Sequence, residues 1–247
     1  MLLFYVRHGD PIYNPNQLTP LGLRQAEAIA RRLARYGLDK VYCSSSNRAI
    51  QTAQPTCELL KLEPEILDWT NEDHAYEDQS MLNKDGERLW AFYIPEFVDF
   101  LTSKEIRDLG MNWTSHPRFQ EADFARYASG HLRIRKDTLA FLDMLGFSYD
   151  DEKGQYLVKN YKEGTPAKER RIALFAHHGF GTNFIATLLQ IPHPQICLKT
   201  NFGHTGLTVF DLPEDRPYAI PQMLTMGNDG HLLADNLPTH YNNCIYF

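Results

Sequence analysis

Cysteine is scarce in this chain and shows no useful spacing. Cys43, Cys57, Cys197 and Cys244 are the only four in 247 residues, with no C-x-x-C pair, which argues against a zinc cluster or a disulfide framework. Long apolar runs are missing too: none approaches the ~18 residues of a membrane span. Residues 1–6 are apolar but stop at Arg7, without the basic start and small-residue cleavage site of a secretory signal. A cytoplasmic address with no membrane partner is the expectation. Basic charge is also short, 25 Lys and Arg against 31 Asp and Glu for a net −6, which disfavours a general nucleic-acid binder. An anionic substrate would therefore need a local group of arginines. No repeat, low-complexity tract or Gly/Ser linker divides the chain.

What remains reads as one soluble α/β domain over residues 1–247. Residues 2–6 are uninterrupted apolar and β-prone, a short buried strand. Thr19-Pro20 opens a helix whose Leu23, Ala26, Ile29, Ala30 and Leu33 recur at helical spacing before Gly37. Strands follow at 40–43, 171–176 and 206–210, with helices after Ser46 and Gly179. Met223–Met226 and His231–Ala234 flank Gly227-Asn228-Asp229-Gly230, a hairpin signal. Alternating strands and helices imply a mainly parallel central sheet flanked by helices. Residues of about 78–130 differ in character: they carry Trp90, Phe92, Tyr93, Phe97, Phe100, Trp113 and Phe119, broken by Pro95 and Pro117. They read as a cap inserted into the core, with a plain structural extension as the alternative. Its aromatic residues with Arg88, Arg107, Arg118 and Arg126 form a substrate pocket, unless those arginines are solvated helix faces. Arg133, Arg135 and Lys136 read as the exposed face of the next helix, with Leu132, Leu139, Leu142 and Leu145 on its apolar face.

Three segments place polar residues directly after a strand, where ligands gather in open α/β sheets. They are Arg7-His8-Gly9, Arg48 on the first turn after the second strand, and His177-His178-Gly179. A lone histidine or arginine there is usually a loop or ion-pair residue, but three strand ends together converge two imidazoles and two guanidiniums. His177 and His178 could ligate a metal, yet no H-E-x-x-H or H-x-H-x-D-H pattern completes such a site.

These residues resemble the histidine phosphatase superfamily, which includes cofactor-dependent phosphoglycerate mutase. Arg7-His8-Gly9 matches its R-H-G signature. Leu18-Thr19-Pro20-Leu21-Gly22 with Gln25-Ala26 matches L-T-x-x-G-x-x-Q-A. Ser44 through Ala53 matches S-x-x-x-R-A-x-Q-T-A, and His178-Gly179 matches the late H-G. The resemblance implies a phosphoglycerate mutase-like fold and a phosphoric monoester hydrolase working through phosphohistidine, with no metal and no cofactor. It assigns His8 as nucleophile and His178 as donor to the phosphoryl group. Arg7, Arg48 and Asn14 would bind phosphate. Trp69 to His74 is similar to W-x-L-N-E-R-H, which puts the proton donor at Glu72, with Glu77 second. His204 would lie at the site edge. The cap lacks the adjacent arginine pair of the mutases, so hydrolysis of a small phosphorylated substrate is favoured. A phosphomutase, a catalytically weak phospho-ligand binder and a metallohydrolase are the competing readings.

Overall fold

The first strand, β1 (Leu2–Arg7), is apolar from Leu2 to Val6 because both of its faces are covered. In the computed structural model, which describes residues 1–164 and 169–241, it lies at the centre of a six-stranded sheet. Cys244 is outside the described residues. The other strands are β2 (Lys40–Ser44), β3 (Glu65–Leu67), β4 (Arg171–Ala176), β5 (Leu207–Asp211) and β6 (Gln222–Asn228). Their order is β6-β5-β1-β4-β2-β3. The pairs β1–β4, β4–β2 and β2–β3 are parallel, and β5 and β6 form an antiparallel edge. The expected α/β class with a mainly parallel sheet is what the chain adopts.

Alternate residues of β1 feed two different cores, as the two-residue strand period requires. Phe4 and Val6 pack with Ile29 and Leu33 of α1 (Pro20–Tyr36) and Ala49 and Ala53 of α2 (Asn47–Leu60). Leu3 and Tyr5 face Ile134 and Phe141 of α6 (Ala122–Met144) and Phe180 and Phe184 of α7 (His178–Leu189). Each large side chain buried this way contributes about 1.5–3 kcal/mol. Register then sets the site: Arg7 pairs with Ala176 across β1 and β4. His8 and His177, the next residues of each chain segment, leave the sheet side by side.

Residues after α3 (Glu72–Gln79) form a hairpin, Ser80–Leu82 with Arg88–Trp90, followed by α4 (Pro95–Thr102) and α5 (Lys104–Leu109). Phe97, Phe100, Ile106, Trp113 and Phe119 make a separate apolar cluster with Tyr127 and Ala128 of α6. The sequence boundary near residue 130 therefore falls inside α6, which serves both this cluster and the main core.

On α6, Leu142 and Leu145 are buried, Leu139 packs against the core and Lys136 is exposed, as expected; Leu132, the two arginines and the expected hairpin differ. The buried side of α6 is Ile134, Thr138, Phe141, Leu142 and Leu145, spaced by helical turns, and Leu132 points outward. Arg133 and Arg135 are not on a solvated face: Arg133 pairs with Asp78 at 2.7 Å, and Arg135 lies over the Tyr149 ring. Gly227–Gly230 is not a hairpin turn. β6 runs through Gly227 as the partner of β5, and α9 (Gly230–Ala234) follows, burying Leu232 against Ala28 while Leu233 is exposed.

Candidate active site

His8 is 2% exposed and sits on a loop held at several points. Its backbone N–H donates to Ala176 O at 2.9 Å, and Gly9 N donates to Thr52 Oγ1 at 2.9 Å. A Cβ on Gly9 would lie 2.7 Å from Gly22 O, so the loop closes on the start of α1 only because residue 9 is glycine. The His8 Nδ1–H donates to Gly9 O at 2.7 Å. A carbonyl can only accept, so the neutral ring carries its proton on Nδ1 and has a bare Nε2. Burial first, then Arg7 and Arg48, push the His8 pKa well below the ordinary histidine value. The ring is uncharged at neutral pH.

Arg7 and Arg48 are both buried, and with His8 and His178 they line one cavity of about 350 Å³. Arg7 Nη1 donates to Phe202 O at 2.8 Å, and Nη2 donates to His204 Nε2 at 3.0 Å. Because guanidinium only donates, His204 must carry its proton on Nδ1, which faces Asp10 Oδ1 at 3.4 Å. His204 thus lies behind Arg7, connected to Asp10, and does not line this cavity. Arg48 is fixed from outside its own helix: Asn16 Oδ1 accepts the Arg48 backbone N–H at 3.2 Å. Asn14, expected to bind phosphate, is exposed in the preceding turn and is not among the cavity residues. The signal that separates the two asparagines is geometric only.

His177 is wholly buried, its Nε2 2.8 Å from Ser44 Oγ and its ring 5.2 Å from that of His8. It lies behind His8. His178 opens α7 and lines the cavity, and burial lowers its pKa to about 3. Its buried Nδ1 has no hydrogen-bond partner among the described residues, and the same holds for Arg48 Nε. Unmet buried donors of this kind are costly, and both belong to side chains that face one cavity.

Glu72 opens α3 and reaches across to the start of α7, accepting Gly179 N at 2.8 Å and Phe180 N at 2.7 Å. Burial raises its pKa against the pull of those two amides, Arg48 and Arg7. Glu77 is exposed one and a half turns on, its carbonyl bonded by Arg126, and it does not line the cavity. The other walls are Trp90, one of the insert's aromatic residues read as pocket candidates, and Tyr13, Asp73 and Tyr76, which sequence reading did not select. None of the four arginines proposed as pocket residues lines this cavity: Arg88 and Arg126 bond Ser80, and Arg118 stacks on Phe100 and Phe124. Arg107 lies in a neighbouring cleft.

A parallel sheet brings two histidines and two buried arginines to one strand edge. Residues 3–90, about a third of the chain, match the family model for the histidine phosphatase superfamily (branch 1). A curated Hydrogenobacter thermophilus protein named "Putative phosphoserine phosphatase 2" is 26% identical over 124 residues, 47% of this chain and 53% of its own. The match thus spans about half the length of that relative. An Entamoeba histolytica phosphoserine phosphatase, solved with phosphoserine, superposes with a TM-score of 0.56 at 17% identity, over 94% of this chain and 98% of its own. The alpha-ribazole phosphatase of Shigella flexneri gives 0.56 at 16%, over 93% and 97%. At such identities these likenesses speak to the fold.

Proposed function

We propose that the chain is a phosphomonoesterase acting through a phosphohistidine at His8, without metal. The observation that carries this reading is the His8 tautomer: Nδ1–H is committed to Gly9 O, so Nε2 is bare beside Arg7 and Arg48. Nε2 attacks phosphorus and the bond to the ester oxygen breaks. Arg7 and Arg48 hold the equatorial oxygens, and His178 donates to one of them. Protonated Glu72 gives its proton to the departing alkoxide. Each carboxyl oxygen has two lone pairs, so Glu72 can carry a proton toward the cavity while still accepting from an amide. Water then attacks the phosphohistidine, Glu72 takes its proton, and inorganic phosphate leaves. Net, one ester and one water give one alcohol and one phosphate. The partner is a small phosphorylated molecule, and a cytoplasmic address fits the free thiols of Cys43, Cys57 and Cys197.

The test is to quench turnover of a ³²P-labelled ester and map the label. Acid-labile, base-stable phosphate on His8, absent in His8→Ala along with several orders of magnitude in rate, is the expected result. Label on His178 instead would overturn the assignment.

A further inference from the structure

The cavity at His8 does not end where a small leaving group would. His178 lines both that cavity and a second one of about 520 Å³, bounded by Phe92, Tyr93, Val98 and Lys199. Leu198 and Lys199 in turn line both this second cavity and an apolar cleft of about 180 Å³ between α5 and α8 (His193–Cys197). The cleft is walled by Leu101, Ile106, Trp113 and Pro194, with Arg107 at its edge. One wall of the route is a run of aromatic rings. Tyr76 meets Trp90 at 5.2 Å, Trp90 stacks on Phe92 at 5.1 Å, and Phe92 meets Tyr93 at 4.8 Å.

Beyond the second cavity the route is cationic. Lys199, at the junction of that cavity with the cleft, is exposed, and among the described residues its ammonium reaches only the neutral amide of Gln195, at 3.4 Å. On α5, the acids beside Arg107 are engaged elsewhere: Asp108 pairs with Lys104 and Glu105 with His116. Two cations with no acid bound to them among the described residues, along the apolar path beyond the second cavity, complement an apolar body that carries an anion.

We infer that the substrate is an amphipathic phosphomonoester whose apolar body follows the aromatic wall away from His8 and whose second anionic group meets Lys199 and Arg107. This rests on the phosphatase reading. A leaving group the size of serine would fit within the first cavity and leave the second cavity and the cleft untouched. The apolar body is held by burial against the accessible Trp90, Tyr93 and Leu198, and the terminal charge selects among bodies of equal length.

The test uses the intact chain with short and long alkyl phosphates that end in methyl or in carboxylate, and p-nitrophenyl phosphate as reference. We expect kcat/KM to rise with chain length and to rise again when a long chain ends in carboxylate. The double variant Lys199→Glu, Arg107→Glu should reduce the carboxylate-over-methyl ratio by about tenfold, since each exposed pair is worth little alone and reversal adds repulsion. Added salt should shrink the same ratio in the wild type. The effect is a ratio between two substrates on one protein, so partial unfolding cannot imitate it. A long carboxylate-ended substrate cleaved no better than a short methyl-ended one, or a ratio that survives the double reversal, overturns the inference while cleavage of the reference ester upholds the phosphatase reading. Failure to release phosphate from any compound, the reference included, overturns the reading beneath it.

Discussion

Glu72 and Gly179 are joined across the site: the Glu72 Oε1 accepts the Gly179 N–H at 2.8 Å, while Oε2 takes the neighbouring Phe180 N–H at 2.7 Å. A carboxylate from α3 therefore caps α7, whose first residue is His178. Capping alone would be served best by a permanent negative charge at the helix N-terminus. Burial opposes that charge more strongly than the amides and arginines favour it, and the pKa is raised. An arriving phosphate dianion shifts it further in the same direction. Glu72 is thus poised between cap and acid.

Replacing Glu72 by Gln keeps one acceptor oxygen and removes the proton. Phosphoenzyme formation from an alkyl phosphate should slow by about 10²- to 10⁴-fold, and far less from p-nitrophenyl phosphate, whose leaving group departs unprotonated. Rapid-quench measurement of that step decides it. Equal losses with both esters would remove Glu72 as the acid, and Asp73, which lines the same cavity, would be next.

Gly179 has no room for a side chain. A Cβ there would lie 2.4 Å from Trp90 Cη2 and 3.0 Å from Glu72 Oε1. Gly179→Ala must push either the indole or the carboxylate aside, at a cost of about 1–3 kcal/mol in stability. Misplacing the acid by that much should lower kcat about 10²-fold. The two readouts, a thermal melt and kcat, should both move. Unchanged kcat would mean that Trp90 yields and Glu72 does not depend on it.

How much of this was legible beforehand follows from which contacts are local. Arg7, His8 and His178 could be placed because they follow strands, and strand register puts their neighbours side by side. Glu72 and Glu77 could not be separated by spacing alone. Five residues along a helix turn by about 140°, which sends Glu77 to solvent once Glu72 faces α7. Asn16 rather than Asn14 holds Arg48, a choice made by how the loop folds over α2. Tyr13, Tyr76 and Trp90 reach the cavity from three separate segments, so no window of sequence contains them together. Arg88 and Arg126 stay out of the His8 cavity for a related reason: Arg126 ties the hairpin to α6 at Ser80 O, and Arg88 bonds Ser80 Oγ within the hairpin.

Metal dependence has a definite structural point of test. Asp10, His204 and His240 offer ligand atoms within 4.8 Å of one another. Arg7 donates to His204 Nε2, which keeps the proton on Nδ1, the nitrogen that faces Asp10. A metal at Nδ1 would have to displace that proton and set an N–H against a guanidinium. Activity should therefore survive exhaustive chelation. Arg48→Lys, which replaces a two-pronged donor by a point charge, should lower kcat/KM by about 10²- to 10³-fold. Loss of activity with chelator, restored by a divalent ion, would reverse the tautomer argument.

Acid should unfold this protein early, because its buried histidines resist protonation. Burial is the first cause of a lowered pKa at His8, His131, His177, His178, His193, His204 and His231. Above about pH 6.5 these rings are neutral in both folded and unfolded chains and do not affect stability. Below it, the unfolded chain binds protons that the folded chain refuses, so stability falls as pH falls. For His131, pushed down to about 4, the loss approaches about 3 kcal/mol by the time the folded ring titrates. Several such groups act against a typical domain stability of about 5–15 kcal/mol. Circular dichroism should show weakening from about pH 6.5 and unfolding before about pH 4, with net proton uptake on unfolding. His131→Asn, which keeps a donor for Asn183 Oδ1, 2.9 Å from the His131 Nδ1, should flatten the slope of stability against pH by about one proton. A fold equally stable at pH 7 and pH 4.5 would contradict the assignment of these rings as neutral and buried.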